Sequence, residues 1–303
     1  MERAVWYTAN EMVKRGHEVT LVGGDGSKLD GATVIPYNGL HNFIPWLREN
    51  KSKYDILHDF SHDMAISAAL KGEMKCLSTL ENPNDPKDAP NVVTVSQFHR
   101  RYTWDYYARD TKVVYNAVDT AHYPFYPNKR QDYVFQMGVV ESRKGTLEVL
   151  KYAKQAGVPV YMAGLVSQSK DYQRLVDGYI DGNRVKWFGN VGGKQKQDLM
   201  GNAAAMMLVV FWSEPGSYVG PESTCMGTPI ICNDVGCVAE YVIPNETGIV
   251  VKEESQLAEA MIRVRDIDPY RVREFWLSSP FRASVMGDEY EALYHRVLDG
   301  EAW

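Results

Sequence analysis

Strand-like and helix-like segments alternate along this chain in two long runs, and that alternation restricts the fold more than any single motif does. Residues 2–15 place Ala4, Val5, Thr8, Met12 and Val13 at helical spacing, Gly16 stops the helix, and Val19 to Val22 reads as a buried strand. The rhythm continues with helices near 42–50, 63–71 and 97–108, and strands at 55–57, 75–80, 91–95 and 112–115. Strands separated by helical stretches are joined by crossovers, and crossovers build parallel sheets. Residues 119–130 (DTAHYPFYPNKR) hold two prolines and no periodicity, so they are expected to link two domains. A second cycle places strands near 133–137, 158–163, 184–188, 206–210, 228–232 and 248–251. Residues 254–299 are nearly all helical in pattern, broken around Pro269 and Pro280.

A length of 303 residues suits two domains with a core each. The expected fold class is α/β, with two doubly wound, Rossmann-like domains. Such sheets bind ligands at the carboxyl ends of their strands, and two of them facing each other enclose a cleft.

Composition removes several function classes. A net charge of -6 lacks the basic footprint of a nucleic-acid binder. No apolar run reaches the ~18 residues of a membrane span. The longest, Ala203 to Trp212, has the length of a strand. The charges Glu2, Arg3, Glu11, Lys14 and Arg15 do not fit a secretory leader, so a cytoplasmic protein is expected. Cys225, Cys232 and Cys237 lack the C-x2-C spacing of a zinc site, and the four cysteines read as buried thiols. No G-x-G-x-x-G follows an early strand, which argues against a dehydrogenase.

The sharpest segment runs from Trp212 to Glu222 (WSEPGSYVGPE) and on through Ser-Thr-Cys-Met-Gly-Thr-Pro-Ile-Ile231. Glu214 and Glu222 stand eight positions apart across a strand-to-helix turn containing Pro215, Gly216, Ser217 and Gly220. Glycine lets the backbone approach a ligand, and a helix start offers N–H groups to a diphosphate. On composition alone the same pattern also fits an ordinary strand-loop-helix unit with exposed acids.

This segment resembles the E-x7-E signature of glycosyltransferase family 4. Further landmarks of that family follow in order: Lys14 to Leu21 at its first helix-to-strand turn, Tyr54 to His58, Val93 to Ser96, Asn116 to Asp119, Gly138 to Gly145, Asp234 to Glu240, and Thr247 to Val250. The resemblance covers nearly the whole chain. It implies a GT-B fold and transfer from a nucleotide sugar, UDP or GDP, with retention of configuration. It implies no cofactor and no metal. The domains implied are 1–122 on the acceptor side, 123–280 on the nucleotide side, and a helix over 281–303 returning to the first.

Carried over by position, Glu214 faces the donor sugar, Glu222 holds the ribose, and Lys144 with Arg143 neutralises the diphosphate. Gly138, Ser217, Tyr218 and Val219 line the donor, and Gly189, Asn190 and Val191 read the base. A lysine at a helix start opposes the helix dipole, so Lys144 sits at an unfavourable place for a merely solvated cation. His58 and His62 are the two candidates for the reaction centre, because the family's second histidine falls here at Phe60. His17 reads as structural.

Three departures are visible. Val139 stands where the family has arginine, Cys237 breaks a glycine pair, and the family's first strand and glycine-rich loop have no counterpart before Met1. These favour a second reading, a catalytically inactive subunit that still binds a nucleotide sugar. The acceptor is open among glycan, lipid-linked and small-molecule classes, as is the oligomeric state. Residues 41–54 (HNFIPWLRENKSKY) fit either an interfacial helix at the inner membrane face or, as the favoured reading, an amphipathic crossover helix.

Overall fold

The computed structural model describes residues 2–128, 131–166 and 170–303. The chain divides into two compact units, Met1–Ala117 with Pro280–Trp303, and Val118–Ser279.

Unit 1 runs α1 (Glu2–Lys14), β1 (Thr20–Gly23), β2 (Thr33–Pro36), α2 (Leu40–Asn50), β3 (Leu57–Asp59), α3 (Ala65–Ala69), β4 (Cys76–Leu80), β5 (Val92–Thr94), α4 (Gln97–Tyr107) and β6 (Lys112–Val113). Its strands form two parallel sheets, β1-β2 and β3-β4-β5-β6, instead of one. The expected strand at 55–57 is displaced to 57–59, and β2 was not expected at all. Helix α2 buries Phe43 and Leu47 in a cluster with Leu70 and Cys76. Its apolar face is thus committed to the core of its own unit, as a crossover helix requires.

Unit 2 runs β7 (Val134–Met137), α5 (Thr146–Ala156), β8 (Val160–Ala163), α6 (Lys170–Asp177), β9 (Val185–Trp187), α7 (Gly193–Gly201), β10 (Ala205–Leu208), α8 (Val219–Cys225), β11 (Ile230–Asn233), β12 (Gly248–Val251), α9 (Leu257–Arg263) and α10 (Pro269–Ser278). The chain then returns to unit 1 as α11 (Ala283–Leu298). The sheet of unit 2 is parallel throughout, in the order β12-β11-β10-β7-β8-β9. Alternate residues of β7 and β10, among them Val134, Ala205 and Met207, bury against α5 and α9. Asp268 caps α10 by accepting from the Tyr270 amide, with Pro269 at the first helical position.

The stretch expected to link the two domains is packed on unit 2 over its described part, 119–128; Lys129 and Arg130 lie outside the described residues. Its aromatic residues explain this. Tyr123 is 8% exposed, Tyr126 donates to Asp198 at 2.7 Å, and the Phe125 ring meets Tyr270 edge-on. All four cysteines are buried and free. No helix among the described residues is long and apolar enough to cross a membrane.

Candidate active site

In unit 2 the chain moves outward from β7 through β8 to β9, then starts again beside β7 at β10 and moves the other way. Between β7 and β10 the winding reverses, and in open α/β sheets the crevice outside the carboxyl ends at that point takes the ligand. A cavity of about 280 Å³ lies there, walled by the ends of β7, β8 and β10 and by the turn before α8. Of the residues singled out in the sequence, Gly138, Lys144, Glu214, Ser217, Tyr218 and Val219 line it. Val139 lines it too, so the position where the family has arginine adds an apolar side chain to this wall.

Glu214 and Lys144 are brought together from 70 residues apart. They form a close ion pair, with the carboxylate side chain 8% exposed and the lysine 26%. The backbone around Lys144 is held by Gln136 of β7, whose side-chain amide donates to the Lys144 carbonyl at 2.8 Å. Gly145 follows at φ +62, and a Cβ there would stand 2.8 Å from the Val209 carbonyl. Only glycine lets the chain turn into α5 so close to β10. Behind Glu214, Gly236 does similar work: a Cβ on it would meet the Glu214 amide nitrogen at 2.7 Å. The Cys237 amide donates to the Glu214 carbonyl at 3.0 Å. Arg143 is half exposed, pairs with Glu141 and lies over the Trp212 ring, 4.7 Å from its centroid; it does not line the cavity.

The turn before α8 is less open than a bare helix start. The Ser217 amide donates to the buried Tyr241 hydroxyl at 2.9 Å, so it is already engaged. Glu222 does not reach the cavity wall. It is fully buried one turn into α8, ion-paired with Lys196 of α7 at 2.6 Å and accepting from the Tyr123 hydroxyl at 2.6 Å. Buried as it is, the Glu222 carboxylate is compensated by these internal partners.

Glycines 138, 164 and 189 stitch the three strand ends. The Gly138 amide donates to Ala163 at 3.0 Å, and the Gly164 amide donates to the Gly189 carbonyl at 2.7 Å. Gly189, Asn190 and Val191 lie beyond the cavity wall, with Val191 buried and Asn190 exposed.

The candidate histidines belong to unit 1. His58 follows Leu57 on β3, with Nδ1 at 2.7 Å from the Tyr294 hydroxyl and Nε2 at 2.8 Å from Thr79 Oγ1. The residue as a whole is half-buried, but Phe60, Tyr290 and Tyr294 enclose its ring. Burial pushes its pKa down to about 3, so it is a neutral ring with both nitrogens engaged. Phe60 is itself 8% exposed and packs on that ring. His62 is exposed in the turn after β3. His17 bridges to Glu291 at 2.7 Å, tying α1 to α11.

The family model described as glycosyl transferases group 1 matches residues 120–273, just over half of the chain. The chain belongs to the group 1 glycosyl transferases. This glycosyltransferase is similar to AviGT4, a glycosyltransferase involved in avilamycin A biosynthesis, at 26% identity and a TM-score of 0.84, over 98% of this chain and 91% of that one. A glycosyltransferase from Rickettsia africae superposes with a TM-score of 0.81 at 19% identity, over 99% and 95% of the two chains. HepE from Anabaena, solved in complex with UDP and glucose, superposes with a TM-score of 0.72 at 16% identity, over 86% and 85%. At such identities the last two speak for the fold alone. No curated protein sequence matches the chain. The fold is α/β, of the GT-B class to which its solved neighbours belong.

Three groups around this site and its supports carry no clear signal in the sequence. Trp212 was noted only as the start of a motif, Lys196 is hidden in a polar run (KQKQ), and Gly164 ends a strand without any recognised signature. In unit 1, Glu81 follows β4; burial raises its pKa, and its Oε1 has no hydrogen-bond partner among the described residues.

Proposed function

We propose that the chain is a retaining member of glycosyltransferase family 4 that moves a sugar from a UDP- or GDP-sugar to a hydroxyl of a glycan, lipid-linked or small-molecule acceptor. The observation that carries this reading is the Lys144–Glu214 pair on the wall of the switch-point cavity. As the bond between the sugar's anomeric carbon and the diphosphate oxygen breaks, the leaving group gains negative charge. A cation fixed in place beforehand stabilises that moment more than the ground state. Lys144 supplies it, and Arg143 adds charge at the edge. Glu214 is placed to accept hydrogen bonds from sugar hydroxyls as the ring becomes oxocarbenium-like. The complex of HepE with UDP and glucose supports a donor of this class.

The test is a thermal-shift series with UDP-, GDP- and ADP-sugars, followed by transfer assays and determination of the product anomer. A ligand bound only by the folded state raises its stability. The expected result is a shift with one nucleotide series and an axial or equatorial product linkage matching the donor. Inverted product would remove the retaining assignment, and binding with no transfer to any acceptor would favour the inactive-subunit reading that Val139 and the divided sheet of unit 1 suggest.

A further inference from the structure

We propose that Trp212 is a positioning residue that keeps Glu214 in place when Lys144 turns to the donor diphosphate. The inference rests on the roles proposed above for Glu214 and Lys144. Two groups meet the same oxygen of Glu214: the Lys144 ammonium and the Trp212 indole nitrogen, which donates to Oε2 at 2.7 Å. The face of the same indole carries both cations, with Arg143 at 4.7 Å and Lys144 at 5.0 Å from the ring centroid. One side chain thus touches all three charged groups of the site by two different means.

A diphosphate entering the cavity competes with Glu214 for the ammonium. Glu214 is only 6% exposed, and a largely buried carboxylate that loses a donor is costly. The indole N–H has no acceptor function and a fixed direction in its rigid ring. It stays on Oε2 while the lysine moves. The ring face in turn keeps the two cations near the cavity by cation–π attraction, which is strongest for indole.

Edge and face separate by substitution. Trp212→Phe keeps an aromatic face and removes the N–H; Trp212→Leu removes both. The measurements are the transfer rate with the best donor, calorimetric affinity for the free nucleoside diphosphate, and Tm. For Trp212→Phe the expected result is a fall in kcat of about tenfold or more, with affinity within about twofold of wild type and Tm little changed. Trp212→Leu is expected to lose about as much kcat and, in addition, several-fold in affinity. A Trp212→Phe protein that transfers sugar at the wild-type rate overturns the proposal. So does a loss of kcat and affinity in the same proportion in both variants, the mark of general damage. Wild-type protein that binds no nucleotide at all would instead sink the reading of the site, and the inference with it.

Discussion

The ammonium of Lys196 lies 2.6 Å from a carboxylate oxygen of Glu222, with side-chain exposures of 3% and 0%. The Tyr123 hydroxyl donates to the other carboxylate oxygen at 2.6 Å, and the Lys196 ammonium reaches that hydroxyl at 3.2 Å. Helix α7, helix α8 and the strap over 119–128 meet in this one polar knot. Removing either charge leaves the other buried and uncompensated. Lys196→Met or Glu222→Leu alone is expected to cost about 3–5 kcal/mol of unfolding free energy, and the double replacement less than either single change. Urea unfolding of the three variants measures this. Additive losses would show that the pair is not coupled.

Glu214→Gln keeps the shape of the side chain and removes its charge. Its bonds to a donor sugar are expected to matter most as positive charge develops on the ring. The variant should lose on the order of 10²-fold in kcat with little change in affinity for the free nucleoside diphosphate. Paired rate and calorimetry measurements decide it; transfer at the wild-type rate removes Glu214 from the chemistry.

Lys144→Ala removes the cation on the cavity wall. Loss of a charge-assisted contact to phosphate of about 1.5–3 kcal/mol predicts roughly tenfold or greater weakening of nucleoside diphosphate binding. With Lys144 and Arg143 meeting the diphosphate charge, transfer is expected to survive EDTA. Activity abolished by EDTA and restored by magnesium or manganese would count against that division of labour.

Gly164→Ala tests the stitched strand ends. A Cβ at Gly164 would stand 1.7 Å from the Gly138 carbonyl oxygen, at a φ of +142 where side chains are rarely tolerated. The variant is expected to displace the ends of β7 and β8, lowering Tm and nucleotide affinity together. Gly192→Ala, in open space by the same measure, serves as the control.

Much of this site was legible in the sequence because it depends on order along the chain. The two cycles of strands and helices follow from hydrophobic runs, and the strand ends deliver Gly138, Lys144 and Glu214 to one place by topology alone. What the sequence hid is direction. Nothing in the spacing of Glu214 and Glu222 tells that one faces a cavity and the other turns inward to Lys196. Lys196 has the neighbours of a solvated lysine, and its partner is 26 positions further on. His58 ends the expected strand, but its engagement depends on Tyr290 and Tyr294, more than 200 residues later. The strand β2 has no clear sequence signal because it has four residues, ends in proline and buries none of them, two being half-buried and two exposed.

Acid and alkali are expected to weaken unit 1 for different reasons. Burial, with Asp288 beside it, pushes the Glu289 carboxyl up to about 7 from an ordinary 4.5. Its favourable contribution is complete below pH 4.5 and lost as pH rises through 7. The His58 ring is held down to about 3 from 6.5, so its contribution is present above pH 6.5 and lost as pH falls toward 3. Glu289→Gln should therefore raise Tm relative to wild type at pH 8, by about 2 °C, and show no such gain at pH 4. Equal differences at both pH values would show that Glu289 does not titrate on unfolding.

Because Pro280–Trp303 belongs with Met1–Ala117, unit 1 is interrupted in sequence by the whole of unit 2 and cannot be completed before unit 2 has been made. Tyr294 meets His58, Tyr290 meets Thr79 and the Trp303 indole donates to the Val92 carbonyl, across separations of 236, 211 and 211 residues. These contacts close long loops, whereas Val118–Ser279 is continuous and has all its strands available once that stretch has emerged. During synthesis unit 2 can therefore settle first, while unit 1 waits for residues 280–303, with His58 still lacking Tyr294 and Thr79 still lacking Tyr290.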